Sequence, residues 1–136
     1  GGANIARLIK LCPQGFVDGV DHSPDSVAVS RKVNRSELGK RCAVVLGDVG
    51  ALPYDAGTFD GVIAFETVYF WPDLEKAFAE IRRVLKPGGT FLLVCEASDP
   101  SGMDRPYRWN DHLFRRGSEG EAGSGWLHAR FHIWER

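Results

Sequence analysis

The sequence has no apolar run near the roughly 20 residues that a helix needs to cross a bilayer, and its N-terminus lacks the basic-then-apolar pattern of a secretory signal. Membrane-spanning and exported proteins are therefore not expected, and the simplest location is cytoplasmic. Charge of one sign is also lacking: 17 Lys and Arg stand against 18 Asp and Glu, a formal net charge of -1. Such a chain has no long-range attraction for phosphate backbones or anionic lipid, so neither nucleic acid nor membrane is expected as a partner. Cysteine is scarce, and Cys12, Cys42 and Cys95 are odd in number and far apart, with no paired C-x-x-C spacing for zinc or a redox couple. They read as reduced, small buried hydrophobes.

What is present is ordinary globular material, 43% hydrophobic and 26% charged over 136 residues, enough for one core. Ile5, Leu8, Ile9 and Cys12 recur at helical spacing until Pro13 and Gly15 end the run. Phe16 to Asp21 reads as a short buried strand, followed by Ser23-Pro24, an N-cap with proline in the first helical position. The helix begun there carries Val27, Val29 and Val33 and is expected to reach Leu38-Gly39, where glycine can adopt the left-handed C-terminal conformation. Cys42 to Leu46 is a continuous apolar run of the kind buried on both faces. After a turn-rich stretch from Gly50 to Thr58 come a strand at Gly61 to Phe65, a helix marked by Leu74, Ala77, Phe78, Ile81 and Leu85, and a strand at Phe91 to Cys95. Strands alternating with helices imply parallel strands joined by right-handed crossovers, an open α/β sheet covered on both faces. Beyond Pro100 the chain changes character, and Gly117 to Gly125 is a Gly/Ser/Glu stretch with no apolar residue larger than Ala122. Residues 101–136 are expected to form an irregular tail with one strand at Trp126 to Trp134, where apolar and polar residues alternate.

Open parallel sheets bind ligands outside the carboxyl ends of their strands, so the residues just after each strand are the candidates. Asp21 could accept both hydroxyls of a ribose in a bidentate pair, or could serve only as a helix N-terminal charge. Asp48, after Gly47, could accept from an exocyclic amine with Val49 offering backbone groups, or could simply form the turn. Glu66 follows the third strand, where a solvated charge is equally at home. Gly1 and Gly2 precede a helix and would let a ligand approach the backbone at a positive dipole end.

In order along the chain stand Gly-Gly-Ala-Asn-Ile-Ala at 1–6, Gly-Val-Asp-His-Ser-Pro at 19–24, Gly-Asp-Val-Gly-Ala-Leu-Pro at 47–53, Phe-Asp-Gly-Val-Ile at 59–63 and Leu-Lys-Pro-Gly-Gly at 85–89. This series resembles the class I S-adenosylmethionine-dependent methyltransferases that act on small molecules, and it covers residues 1–100. The resemblance implies a three-layer Rossmann-like, mainly parallel sheet and S-adenosylmethionine as cofactor. It places Gly1 and Gly2 under the methionine part, Asp21 on the ribose with His22 beside it, Asp48 and Val49 at the adenine, and Glu66 near the methionyl end. Pro87-Gly88-Gly89 would turn the chain into the next strand.

The family's first strand, central in its sheet, would precede Gly1, so the chain is expected to be a truncated domain, unless its neighbouring strands close up. Its two inner strand edges would be exposed and would invite self-association. The expected activity is methyl transfer to a small-molecule acceptor. Glu66, Tyr69 and His112 are candidates to assist deprotonation, and Tyr69, Phe70 and Trp71 form either an aromatic wall or ordinary packing. His128 and His132 have the spacing of a helical metal pair but no third ligand, so no metal is expected. Two competing functions remain. A degenerate methyltransferase-like domain would serve as a binding or interaction module. A nicotinamide-dependent oxidoreductase would also have glycines before a helix and an acid about 20 residues on.

Overall fold

The computed structural model describes residues 1–94 and 130–135. Helix α1, Ala3–Leu11, turns Ile5 and Ile9 inward at one-turn spacing, with Cys12 buried just beyond its end. The carbonyls left open at that end are taken by Arg41, which donates to the oxygens of Ile9, Cys12 and Gly15. Strand β1, Phe16–Asp21, follows. Helix α2, Pro24–Val33, starts where Ser23 Oγ accepts the N–H of Ser26 at 3.3 Å.

The helix does not reach Leu38 as expected. It ends at Val33 because the amide of Asn34 turns back, donating to the carbonyl oxygens of Ser30 and Gly2 at 2.9 Å each. One buried side chain thus caps α2 and fastens it to the start of α1.

Strand β2 is Cys42–Leu46 and β3 is Phe59–Phe65, beginning two residues before the expected Gly61. A 3-10 turn at Val68–Phe70 leads to helix α3, Leu74–Val84, capped by Asp73 accepting from the N–H of Lys76 at 2.9 Å. Strand β4 spans Leu85–Val94, earlier than the expected start at Phe91. Its register on β3 jumps from Phe59↔Leu85 to Gly61↔Thr90, so Lys86 to Gly89 bulge out of the ladder. Gly88, with φ 77°, makes that detour.

The five strands form one parallel sheet in the order β2-β1-β5-β3-β4, where β5 is Arg130–Glu135. The gap expected between the strands ending at Asp21 and Phe65 is thus closed, because β5 pairs with β1 on one side and β3 on the other. The inner edges expected to be exposed are paired, and the outer edges are β2 and β4. Of the strand expected at Trp126 to Trp134, residues 126–129 lie outside the described residues, as does Cys95.

Two layers of helix sandwich the sheet. Ile5, Ile9, Val17, Val27, Cys42 and Val44 pack together where α1 and α2 meet one face. Val20, Phe59, Val62, Ala64, Ala77, Ile81 and Val84 pack under α3 on the other, together with Val49 and Leu52 from the β2–β3 connection. Phe59 is fully buried there, with the ring of Tyr54 edge-on at 4.8 Å. Among the described residues no helix is long and apolar enough to cross a membrane.

Candidate cofactor site

Because every strand runs the same way, all the strand ends that carry an acid fall on one rim. Asp21 ends β1, Gly47-Asp48 follow β2, and Glu66 follows β3. From β2 to β3 is three strand spacings, about 14 Å at about 4.8 Å each. Helix α1 runs down into β1, so its N-terminus with Gly1 and Gly2 stands at this same rim.

Asp21 is buried, its side chain 12% exposed. Its Oδ1 accepts the N–H of Ser23 at 2.9 Å, which pins the carboxylate at the start of α2. His22 Nδ1 lies 3.6 Å from the same oxygen, but the imidazole is 73% exposed. Asp21 therefore does serve the α2 N-terminus, one of the two roles its position allowed, and its Oδ2 has no partner among the described residues.

Gly47 donates to the Asp21 carbonyl oxygen at 3.0 Å, tying the two neighbouring strand ends together. A Cβ on Gly47 would stand 3.0 Å from Val20 Cγ1 and 3.4 Å from Pro53 Cδ, so glycine is what the crowding here admits. Asp48 is exposed and closes a tight turn, its Oδ1 accepting the N–H of Gly50 at 2.6 Å. Val49, in contrast, turns its side chain into the core.

Glu66 has φ 53°, the only non-glycine residue with positive φ among the described residues, and its N–H donates to the Val94 oxygen at 2.8 Å. A residue with a side chain held in this region is strained, and such strain concentrates at functional sites. Next to it Thr67 is 3% exposed, and its Oγ1 has no hydrogen-bond partner among the described residues. A lone threonine after a strand carries no sequence signal, so nothing in the sequence marks Thr67.

Gly2 caps α1 with φ 92°. A Cβ there would fall 2.9 Å from Ser30 Cα, and one on Gly1 would fall 2.8 Å from Ser30 Oγ. Gly2, with its left-handed backbone pressed on main chain, is thus needed for the close approach of α1 to α2, whereas at Gly1 only a side-chain oxygen stands in the way.

The aromatic triplet divides. Tyr69 and Phe70 are exposed, at 59% and 52%, whereas Trp71 is buried edge-on to Phe78 at 5.8 Å. Trp71 is packing, and only the first two face outward beside Glu66. His112 and His128 lie outside the described residues. His132 lies within β5, in register with Asp18 and Val62, and among the described residues no cluster could hold a metal ion. Cys12 and Cys42 are free thiols, both pushed above the usual thiol range by burial. Glu37 and Asp18 add to this at Cys42, while Arg41 opposes it at Cys12, so neither is a ready nucleophile.

These features suit an adenosyl ligand in their donor chemistry. The rim offers two carboxylates for hydroxyl and amine donors, Asp21 through Oδ2 and the exposed Asp48.

Comparison with known proteins agrees. A family model described as methyltransferase domain matches residues 1–93. The demethylmenaquinone methyltransferase of Symbiobacterium thermophilum is 35% identical over 101 residues, 74% of this chain and 40% of that protein. The 24-methylenesterol C-methyltransferase 3 of Arabidopsis thaliana is 40% identical over 87 residues, 63% of this chain and 24% of that one. Among solved structures, the PH0226 protein of Pyrococcus horikoshii OT3 superposes with a TM-score of 0.57 at 32% identity, covering 68% of this chain and 44% of that one. The chain thus spans less than half the length of each of these relatives. With the parallel sheet, the acids gathered on its carboxyl rim and the matched residues 1–93, the chain belongs to the class I S-adenosylmethionine-dependent methyltransferase family.

Proposed function

We propose that this chain is the cofactor-binding part of an enzyme that transfers a methyl group from S-adenosylmethionine to a small-molecule acceptor. The observation that carries this is the placement of Asp21, Asp48 and Glu66 at the ends of parallel strands on one rim, within the reach of a single adenosyl ligand. Asp21 accepts the ribose hydroxyls through Oδ2, the oxygen that Ser23 leaves open, with the exposed His22 beside it. Asp48 and the backbone of Val49 meet the adenine, and Gly47 lets the β2 end pack closely against Val20 and Pro53. Glu66 and Thr67 stand at the methionyl end, with Gly1 and Gly2 at the helix terminus opposite.

The bound cofactor supplies an activated sulfonium leaving group, so the protein's share is chiefly to position and to exclude water. Tyr69 and Phe70 lie where an acceptor would meet that end of the rim, and their exposed rings suit an apolar, cyclic acceptor. The relatives named for sterol and menaquinone methylation support the same choice. Free, buried thiols suit a cytoplasmic setting.

The decisive experiment is calorimetric titration with S-adenosylmethionine, for the parent and for Asp21→Ala. The parent is expected to bind near micromolar, and Asp21→Ala to bind at least about tenfold more weakly while retaining its melting temperature within a few degrees. Absence of heat from the parent protein overturns the proposal.

A further inference from the structure

The connection from Gly47 to Thr58 crosses from the carboxyl rim, where Asp48 stands, to the opposite end of the sheet, where β3 begins. Its regular pairing within itself is slight: an isolated bridge between Asp48 and Ala51 and the bond from the Tyr54 N–H to the Leu52 oxygen. Most of what holds its descending limb comes from α3. Glu80 Oε2 accepts the N–H of Leu52 at 2.8 Å, Arg83 Nη2 donates to the oxygen of the same residue at 3.1 Å, and Arg83 Nη1 donates to the Tyr54 oxygen at 2.7 Å. The two side chains also hold each other in a fork, at 2.7 Å and 2.8 Å. Farther up the loop, a Cβ on Gly50 would come 3.3 Å from Lys76 Cδ, so α3 flanks the turn of Asp48 as well.

An i,i+3 pair of this kind on an exposed helix face contributes little by itself. Here it does something else, because both polar groups of the Leu52 backbone are taken by one ion pair. Burial of Val49 and Leu52 fixes how deep the loop sits, but apolar contact is non-directional and leaves the peptide planes free to rotate. Hydrogen bonds are directional, and a charged fork is the most demanding kind. Fixing both groups of Leu52 fixes the two peptide planes on either side of it, Ala51–Leu52 and Leu52–Pro53, at the foot of the turn that carries Val49 and Asp48.

We infer that Glu80 and Arg83 are positioning residues for cofactor recognition: by holding the peptides on either side of Leu52, they anchor the foot of the turn that presents Asp48 and Val49 to the base. They touch no ligand, and their effect is on base discrimination rather than on the ribose or methionyl contacts. This rests on the cofactor site proposed above.

The test compares binding of S-adenosylhomocysteine with that of its inosine analogue, which carries a 6-oxo group in place of the 6-amino group. Parent, Glu80→Gln and Arg83→Lys are titrated calorimetrically at a temperature where each keeps its full helical signal. Amide hydrogen exchange over residues 49–54 is followed in parallel. Glu80→Gln keeps the shape but loses the charge, and Arg83→Lys keeps the charge but loses the fork, so one variant serves if the other fails to fold. The parent is expected to prefer the adenine ligand. Both variants should lose about tenfold of that preference, as expected when a charge-assisted hydrogen bond is removed, together with faster exchange at Val49 to Tyr54. If the parent binds and discriminates but both variants keep its preference and exchange, the positioning role is overturned and the cofactor site stands. If the parent binds neither ligand, the cofactor site itself falls.

Discussion

Ile5 of α1 sits directly on Gly19 of β1, so close that a Cβ added to Gly19 would stand 2.6 Å from Ile5 Cδ1. The contact sets how near α1 lies to the sheet, and hence where the N-terminus of α1 meets the rim. Gly19→Ala should therefore destabilise the fold by about 1 to 3 kcal/mol, as overpacking of a tight core does. Ile5→Val removes the methyl in the way, at its own cost of about 1 kcal/mol. Urea denaturation of both single variants and the double variant should show that Gly19→Ala costs clearly less when Ile5→Val is already present. Strictly additive costs would mean that the two residues do not compete for the same space.

Gly2 and Gly57 share a left-handed backbone but not an environment. At Gly2, φ is 92° and a Cβ would press on the backbone of Ser30 at 2.9 Å, whereas at Gly57, φ is 66° and nothing lies within 4 Å. Alanine at 57 meets only the backbone penalty, about 1 kcal/mol. Alanine at 2 meets the same penalty and a contact with main chain that cannot swing aside, and should cost at least about 2 kcal/mol. Thermal melts of the two variants test the ranking, and equal losses would show that α1 can shift away from α2.

The strands through Phe65, the N-cap at Ser23 and the helix face of α3 were legible because each is encoded within a few residues of itself. The end of α2 was not. Gly39 looked like the terminator, with φ 76° it is indeed left-handed, and yet the helix stops at Asn34, whose amide is drawn to Gly2, 32 residues away. The strand near the C-terminus was legible as a strand, since alternation shows in period, but its place between β1 and β3 depends on pairings more than 60 residues away in sequence. The site divides likewise. Strand ends announce Asp21, Asp48 and Glu66 as the proposed cofactor contacts, whereas Glu80 and Arg83, proposed to position them, look like any solvated charges on an amphipathic helix until the loop that they hold is seen beside them.

The Glu80 carboxylate makes a pH-dependent contribution to stability. The hydrogen bonds from Arg83 hold its carboxyl below the usual value of 4.5, the Leu52 N–H helps, and burial opposes both. The unfolded chain therefore takes up a proton here before the folded one does. The stabilisation is complete above about pH 4.5 and drains away as pH falls through the lowered folded value. Glu80→Gln cannot titrate, so its deficit relative to the parent, about 1 kcal/mol at pH 7, should shrink at pH 3. Denaturant titrations of the two proteins at both pH values provide the check, and a gap that stays constant or widens on acidification would refute it.

The central position of β5 makes the sharpest demand on the fold. Ile133 is in register with Gly19 on one side and Ile63 on the other, so its peptide belongs to a ladder flanked by strands on both sides. Proline at a central position deletes a ladder hydrogen bond and clashes with its neighbours, which is why it is confined to edges and bulges. Ile133→Pro should then cost at least about 3 kcal/mol, a large share of the roughly 5 to 15 kcal/mol typical of a domain. The damage should spread symmetrically. Amide protection should fall over Val17 to Val20 and over Gly61 to Phe65 together, while α3, anchored on β3 and β4 from the other face, should retain more of its protection. Native-like stability with unchanged protection in both neighbouring strands would show that β1 and β3 do not depend on β5 to join the two halves of the sheet.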